Sequence, residues 1–252
     1  SYINNFTAGL TFFIAVAATN LFHQGNWQRV YAAQNNKTLT NSLILSFLIV
    51  TPIVFIMGFT GLVAISQNAN VNADLAFFHL ILQKQSLYIS GILIFLSISL
   101  AISSIDTIIN AVSSLIIVDA KKVFNSKLNS IKLSNAIILA LCLITFTVSS
   151  QGFSILYLFL LADLFCCSAV ISVFYSFYRK NIDVKQVIFS IVVGLFGGLL
   201  FFPSPDFSGS FLVGFIVPAD NFPTFINESL LFISFLVSTF LPAFVLKVKR
   251  IF

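Results

Sequence analysis

Seven stretches of this chain are each long enough to cross a bilayer and carry almost no charge. That feature limits its possible folds more than any other. They fall at about 7–24, 41–66, 87–118, 134–150, 153–178, 186–203 and 229–247. A hydrocarbon core is about 30 Å thick, so a helix of roughly 18 or more apolar residues crosses it. Composition points the same way: 58% of the 252 residues are hydrophobic and only 8% are charged. Soluble domains carry about 25% charged residues, and a chain with a third of that cannot cover its surface with charge. A soluble helical core would need helices with one charged face, and these runs have none. Barrel strands alternate every second residue, which these runs do not. The expected fold is therefore all-α, a polytopic membrane protein of seven transmembrane helices, with Pro52 and Pro242 inside two of them.

The basic residues set an orientation. Arg29 and Lys37 follow the first span, Lys121, Lys122, Lys127 and Lys132 the third, Arg179, Lys180 and Lys185 the fifth, and Lys247, Lys249 and Arg250 the last. Lys84 alone lies on the other side, with Asp74, Asp206, Asp220 and Glu228. The positive-inside rule makes the basic face cytoplasmic, so the segment starts outside and ends inside, in a membrane read as the plasma membrane. The net charge of +5 reflects this topology and the lipid surface, not nucleic acid.

Few other motifs carry chemistry. Cys142, Cys166 and Cys167 lie inside spans without paired spacing and read as small apolar packers. His23 and His79 fall near opposite faces and cannot share a metal. No phosphate loop or nucleophile elbow is present. The loop from Pro203 to Glu228 contains four of the six prolines and reads as irregular and extracellular. The opening "SYINNF", with no initiator Met, suggests part of a longer protein.

The exception is "LAISSIDTIINAVSSLIIVD", residues 100 to 119. Ser99, Ser103, Asp106, Asn110 and Ser113 recur at spacings of four and three and share one helix stripe, flanked by Thr107 and Ser114. Taken singly, Ser97, Ser99, Ser113 and Ser114 suit helix packing, since hydroxyls bond back to their own backbone and small residues let helices approach. Asp106 is different. A charged carboxylate in mid-span costs at least about 2.5–3.5 kcal/mol unless it faces a partner or a polar cavity. Hard cations take hydroxyl, carbonyl and carboxylate oxygens, so the stripe as a whole points to an ion or solute pathway. A second cluster, "NLFHQGNWQRVYAAQ" at 20 to 34, places Trp27, Arg29 and Tyr31 at headgroup level. Thr19, Asn20, His23 and Gln24 come before the interface and need another explanation.

The turn with "WQR.YAA" resembles the element that closes the first helix of the second repeat in the sodium:solute symporter family. "LAISSIDTIINAVSSLIIVDAKKVF" is similar to the family's Ser-rich element two spans later, and "SILYLFLLADLF", 154 to 165, to a helix two spans further on. The match runs in order along essentially the whole chain, with Leu100 where a smaller residue is common. The resemblance implies a five-plus-five inverted-repeat (LeuT-like) fold with broken helices near the midplane. Residues 1–185 would be the second repeat and 186–252 two additional helices, with the first repeat outside this sequence. Sodium would be held by the Leu100 carbonyl and the Ser103 and Ser104 hydroxyls. Asp106, Thr107 and Asn110 would line the ion path or a helix contact. The solute would lie along Val16, Thr19, Asn20 and His23, near Asp163, with a helix break at about 15–20.

The implied function is sodium-coupled symport of a small polar solute. A symporter-like membrane domain of a sensor is the alternative. An intramembrane enzyme would need paired catalytic groups, and Asp106 and Asp163 occur without an aspartyl-protease glycine motif.

The charge asymmetry predicts where impermeant thiol reagents reach. In a background without native cysteines, single cysteines at 121–132 and 179–185 should label from the cytoplasmic side. Those at 67–86 and 204–228 should label from outside, and labelling of both groups from one side would refute the span assignment.

Overall fold

A computed structural model describes residues 2–67, 72–82, 86–124, 130–179, 182–207, 209–210, 212 and 229–248. Lys84, Lys127, Lys180, Asp220, Glu228, Lys249 and Arg250 lie outside the described residues, as do the side chains of Lys121 and Lys122. The described residues are helical apart from turns, one short 3₁₀ segment at Ala73–Leu75 and an isolated bridge between Pro203 and Ser210. The helices are α1 (Tyr2–Phe22), α2 (Gln24–Ala32), α3 (Asn36–Gln67), α4 (Ala76–Leu82), α5 (Leu87–Phe124), α6 (Ser130–Ser149), α7 (Ile155–Tyr178), α8 (Val184–Phe201) and α9 (Leu230–Val248). Seven of them, all but α2 and α4, are long and apolar enough to cross a membrane. Their limits follow the expected spans to within a few residues, except that α5 continues past the apolar run to Phe124.

Local signals set several ends. The Asn35 side chain accepts from the Thr38 amide at 2.8 Å before α3. Asp183 does the same for the Lys185 amide at 3.2 Å before α8. Each satisfies one of the amide groups that a helix start leaves without a partner. After α6 the chain turns through Gly152, whose φ of 70° favours a residue without Cβ. One expectation is not met: α1 runs unbroken through residues 15–20. Ala-Val-Ala-Ala-Thr-Asn offers neither Gly nor Pro to interrupt it, and three alanines favour continuation.

The chain divides into two units, Ser1–His23 with Phe153–Phe252, and Gln24–Gly152. In the first, α7, α8 and α9 pack on one another and α1 packs on α7 and α9. Ala15, Ala18, Leu160, Leu164, Cys167, Phe202 and Phe235 form its core. Close approach comes from small residues. A Cβ on Gly198 would lie 2.7 Å from the Ser238 Cβ. A Cβ on Gly194 would lie 2.9 Å from both the Pro242 Cδ and the Ser238 carbonyl oxygen. Hydroxyls join the helices: Ser172 and Ser190 are 2.8 Å apart, Ser234 donates to the Gly198 carbonyl at 2.7 Å, and Ser238 to that of Leu164 at 3.3 Å. In the second unit, α4 packs on α3, α6 on α5, and α2 on α5. Large side chains such as Phe47, Phe55 and Phe95 stand exposed. A bilayer explains this, because lipid is as apolar as leucine and burial against another helix gains little.

The glycine contacts generate a prediction. Gly194→Val would drive atoms into Pro242 and into rigid backbone at Ser238, at a cost of about 1–3 kcal/mol. At Gly91 an added Cβ would meet nothing within 4 Å, so Gly91→Ala should bring only the small change of helix propensity. Thermal melting of the purified variants in detergent measures the difference; equal melting would refute the tight α8–α9 contact.

Candidate functional site

In the first unit, two of the solute-site candidates meet. Thr19, near the end of α1, donates its hydroxyl to Asp163 Oδ1 of α7, a hydrogen bond between residues 144 positions apart. Ala15 and Ala18 on α1 and Leu160 and Leu164 on α7 are buried around it. Those small alanines let the two backbones come close enough for a short threonine side chain to reach across. Asp163 is itself only 6% exposed. Cys166, one turn further along α7, lies beside Thr19. Asn20 instead turns back on its own helix, donating from Nδ2 to the Val16 carbonyl at 2.8 Å. Val16 is exposed, and so is His23, whose amide donates to the Asn20 carbonyl at 3.4 Å where α1 ends.

In the second unit, the polar stripe lies on α5 as the spacing requires, and its members bond mainly within the helix. The Ser104 hydroxyl donates to the Leu100 carbonyl at 2.9 Å, and Thr107 to the Ser103 carbonyl at 2.9 Å. Asn110 Nδ2 donates to Asp106 Oδ1 at 3.1 Å. All of these residues are exposed. A cation could use the Leu100 carbonyl only after the Ser104 hydroxyl turns away, which an exposed side chain does in picoseconds to nanoseconds. The Ser104 oxygen keeps its lone pairs while its proton is engaged, so it remains an acceptor. The hydroxyl and carbonyl chemistry therefore suits a hard cation, while the oxygens present on α5 supply only part of a coordination shell.

Two features went unforeseen. Gln28 of α2 donates to the Ser114 hydroxyl of α5 at 3.4 Å, which ties the polar turn after α1 to the lower part of the stripe. Ser113 is buried and its Oγ has no partner among the described residues. Its place on the stripe was legible from the spacing, but its burial was not, because burial depends on packing between elements. The cysteines are free, Cys167 buried in the core and Cys142 exposed on α6. Comparison of the chain with protein families, with curated proteins and with solved structures returns no match.

The Thr19–Asp163 contact supports a stability prediction. Thr19→Val keeps the shape but leaves the buried carboxyl without its hydroxyl partner, at a cost of about 1–2 kcal/mol. Thr19→Ser retains the donor and should melt close to the parent protein. If Thr19→Val melts no lower than Thr19→Ser, the contact does not hold α1 to α7.

Proposed function

We propose that this chain acts in a sodium-coupled symporter of a small polar solute, with the cytoplasmic face at its basic loops. The observation that carries the reading is the exposed row of oxygen-bearing side chains, Ser103, Ser104, Asp106, Thr107 and Asn110, in the middle of a 33-residue apolar span. Lipid would penalise such a row, and a polar pathway would not. In this reading residues 1–185 form the second of two inverted repeats and 186–252 add two helices. Sodium binds at Leu100, Ser103 and Ser104, completed by groups from the other repeat. Asp106, paired with Asn110, lies about one turn beyond, on the ion's path. Solute binds along α1 and near Asp163.

The mechanism needs only differential binding. If sodium prefers the outward-open state, its inward gradient biases the protein toward the conformation that accepts solute. Release inside, where sodium is dilute, then restores the alternative state. Hydroxyl ligands suit this cycle because they bind sodium weakly enough to let it go.

The test is in the sodium dependence. In the full-length protein, Ser103→Ala and Ser104→Ala should each raise the sodium concentration for half-maximal uptake by about tenfold. That matches loss of roughly 1.5 kcal/mol from a contact to a charge. Solute affinity at saturating sodium should change much less. Unchanged sodium activation in both variants would leave the hydroxyls as helix packing and remove the proposal's basis.

A further inference from the structure

The carboxyl group of Asp163 has no basic partner among the described residues, although it lies eight residues inside a membrane-spanning helix. Along α7 the other titratable groups are Tyr157, Cys166, Cys167, Tyr175 and Tyr178. The helices packed against α7 offer little more. Helix α1 contributes only Tyr2 at its far end, α8 only Lys185 in its first turn, and α9 only Lys247 in its last. Among the described residues, Asp163 therefore faces hydroxyl, thiol and apolar groups and no cation. A charge at this depth costs at least about 2.5–3.5 kcal/mol unless an opposite charge meets it, and intramembrane acids mark functional sites for that reason.

The carboxyl is only half engaged. Oδ1 accepts the Thr19 hydroxyl, while Oδ2 has no hydrogen bond among the described residues, and the residue keeps 6% of its surface. Thr19 donates its proton to Asp163, so its oxygen can still accept, with the Cys166 thiol as one neighbour of that oxygen. With its sequence neighbours Val16 and Asn20 exposed on α1, the pair thus supplies two acceptor oxygens, Asp163 Oδ2 and Thr19 Oγ1. This suits a group that brings both positive charge and N–H donors. Sodium is served less well, because a hard cation needs about six oxygens and the unbroken helix α1 keeps its carbonyls in its own hydrogen bonds.

We propose that Asp163 and Thr19 receive the protonated nitrogen of the solute, which makes that solute a small ammonium-bearing compound. The inference rests on the symport reading for the word solute, and on the α1–α7 geometry for the site. The nitrogen bridges Asp163 Oδ2 and Thr19 Oγ1, and its charge stands where the described residues supply no basic partner. The site is built from α1 and α7 and the oxygen row from α5, so substitutions can address each separately.

Three two-carbon probes of different charge test this: ethanolamine, ethylene glycol and glycolate. Ligand-induced thermal stabilisation of the full-length protein in detergent reads binding, and proteoliposomes with an inward sodium gradient read uptake. Ethanolamine should stabilise the protein at a concentration at least tenfold lower than either analogue. Asp163→Asn should weaken that response at least tenfold and leave stabilisation by sodium alone unchanged. Asparagine retains an acceptor for Thr19, so the α1–α7 contact survives the substitution. An equal response to all three probes, no response to any, or an ethanolamine response that persists in Asp163→Asn would each overturn the proposal. So would stabilisation of the parent protein by mild acid alone that matches the effect of ethanolamine, because a proton would then be the occupant. Asp163-dependent ethanolamine binding without sodium-driven uptake would support the site and defeat the symport reading. Sodium-driven uptake of ethylene glycol, indifferent to Asp163, would do the reverse.

Discussion

The dry interior of a bilayer governs this structure. With no water to bond exposed amides, every backbone donor and acceptor at membrane depth must be satisfied by its own segment, which leaves helices as the economical solution for an open chain. The same rule applies to side chains. Ser97, Ser99, Ser104, Thr107, Thr145 and Thr147 each return a hydroxyl proton to a carbonyl three or four residues back. A polar group answered in this way can sit singly in an apolar helix without demanding a partner; the row on α5 differs because Ser103, Ser104, Thr107 and Asn110 gather around the carboxyl of Asp106.

Other polar groups reach beyond their own helix. Ser172 with Ser190, Ser234 with Gly198 and Ser238 with Leu164 bond between helices, and each joins two buried surfaces. These contacts read as assembly, since both partners are neutral and enclosed. Thr19 with Asp163 has the same form but a different balance, because one partner can carry charge. Asp106 with Asn110 also involves a carboxyl, yet it is exposed and paired within one helix. Burial therefore separates the two acids: the first depends on the fold around it, the second on whatever lies beside α5.

Hydropathy made the seven spans legible, because apolar length is a local property and membrane thickness is a fixed measure. It could not show that α5 runs on to Phe124, since backbone hydrogen bonding does not stop where the apolar run does. The bond from Ser104 to Leu100 follows from i−4 spacing and could be read directly from the sequence. That Thr19 bonds Asp163 could not, because nothing local relates residues so far apart; each was a candidate, and only the packing of α1 on α7 joins them. The break expected in α1 came from resemblance and is absent, where the alanine-rich composition of residues 15–20 already favoured continuity.

Pro242 has a mechanical consequence. A proline inside a helix has no amide proton to give the carbonyl four residues back, which here is that of Ser238. Ordinarily such a point is a soft joint at which the two halves of a helix flex. In this protein Gly194 of α8 lies directly against both Pro242 and the Ser238 carbonyl. The joint is thus clamped by its neighbour, and any bending of α9 at that level must carry α8 with it. The last two long helices would then move as a single lever rather than as two independent rods.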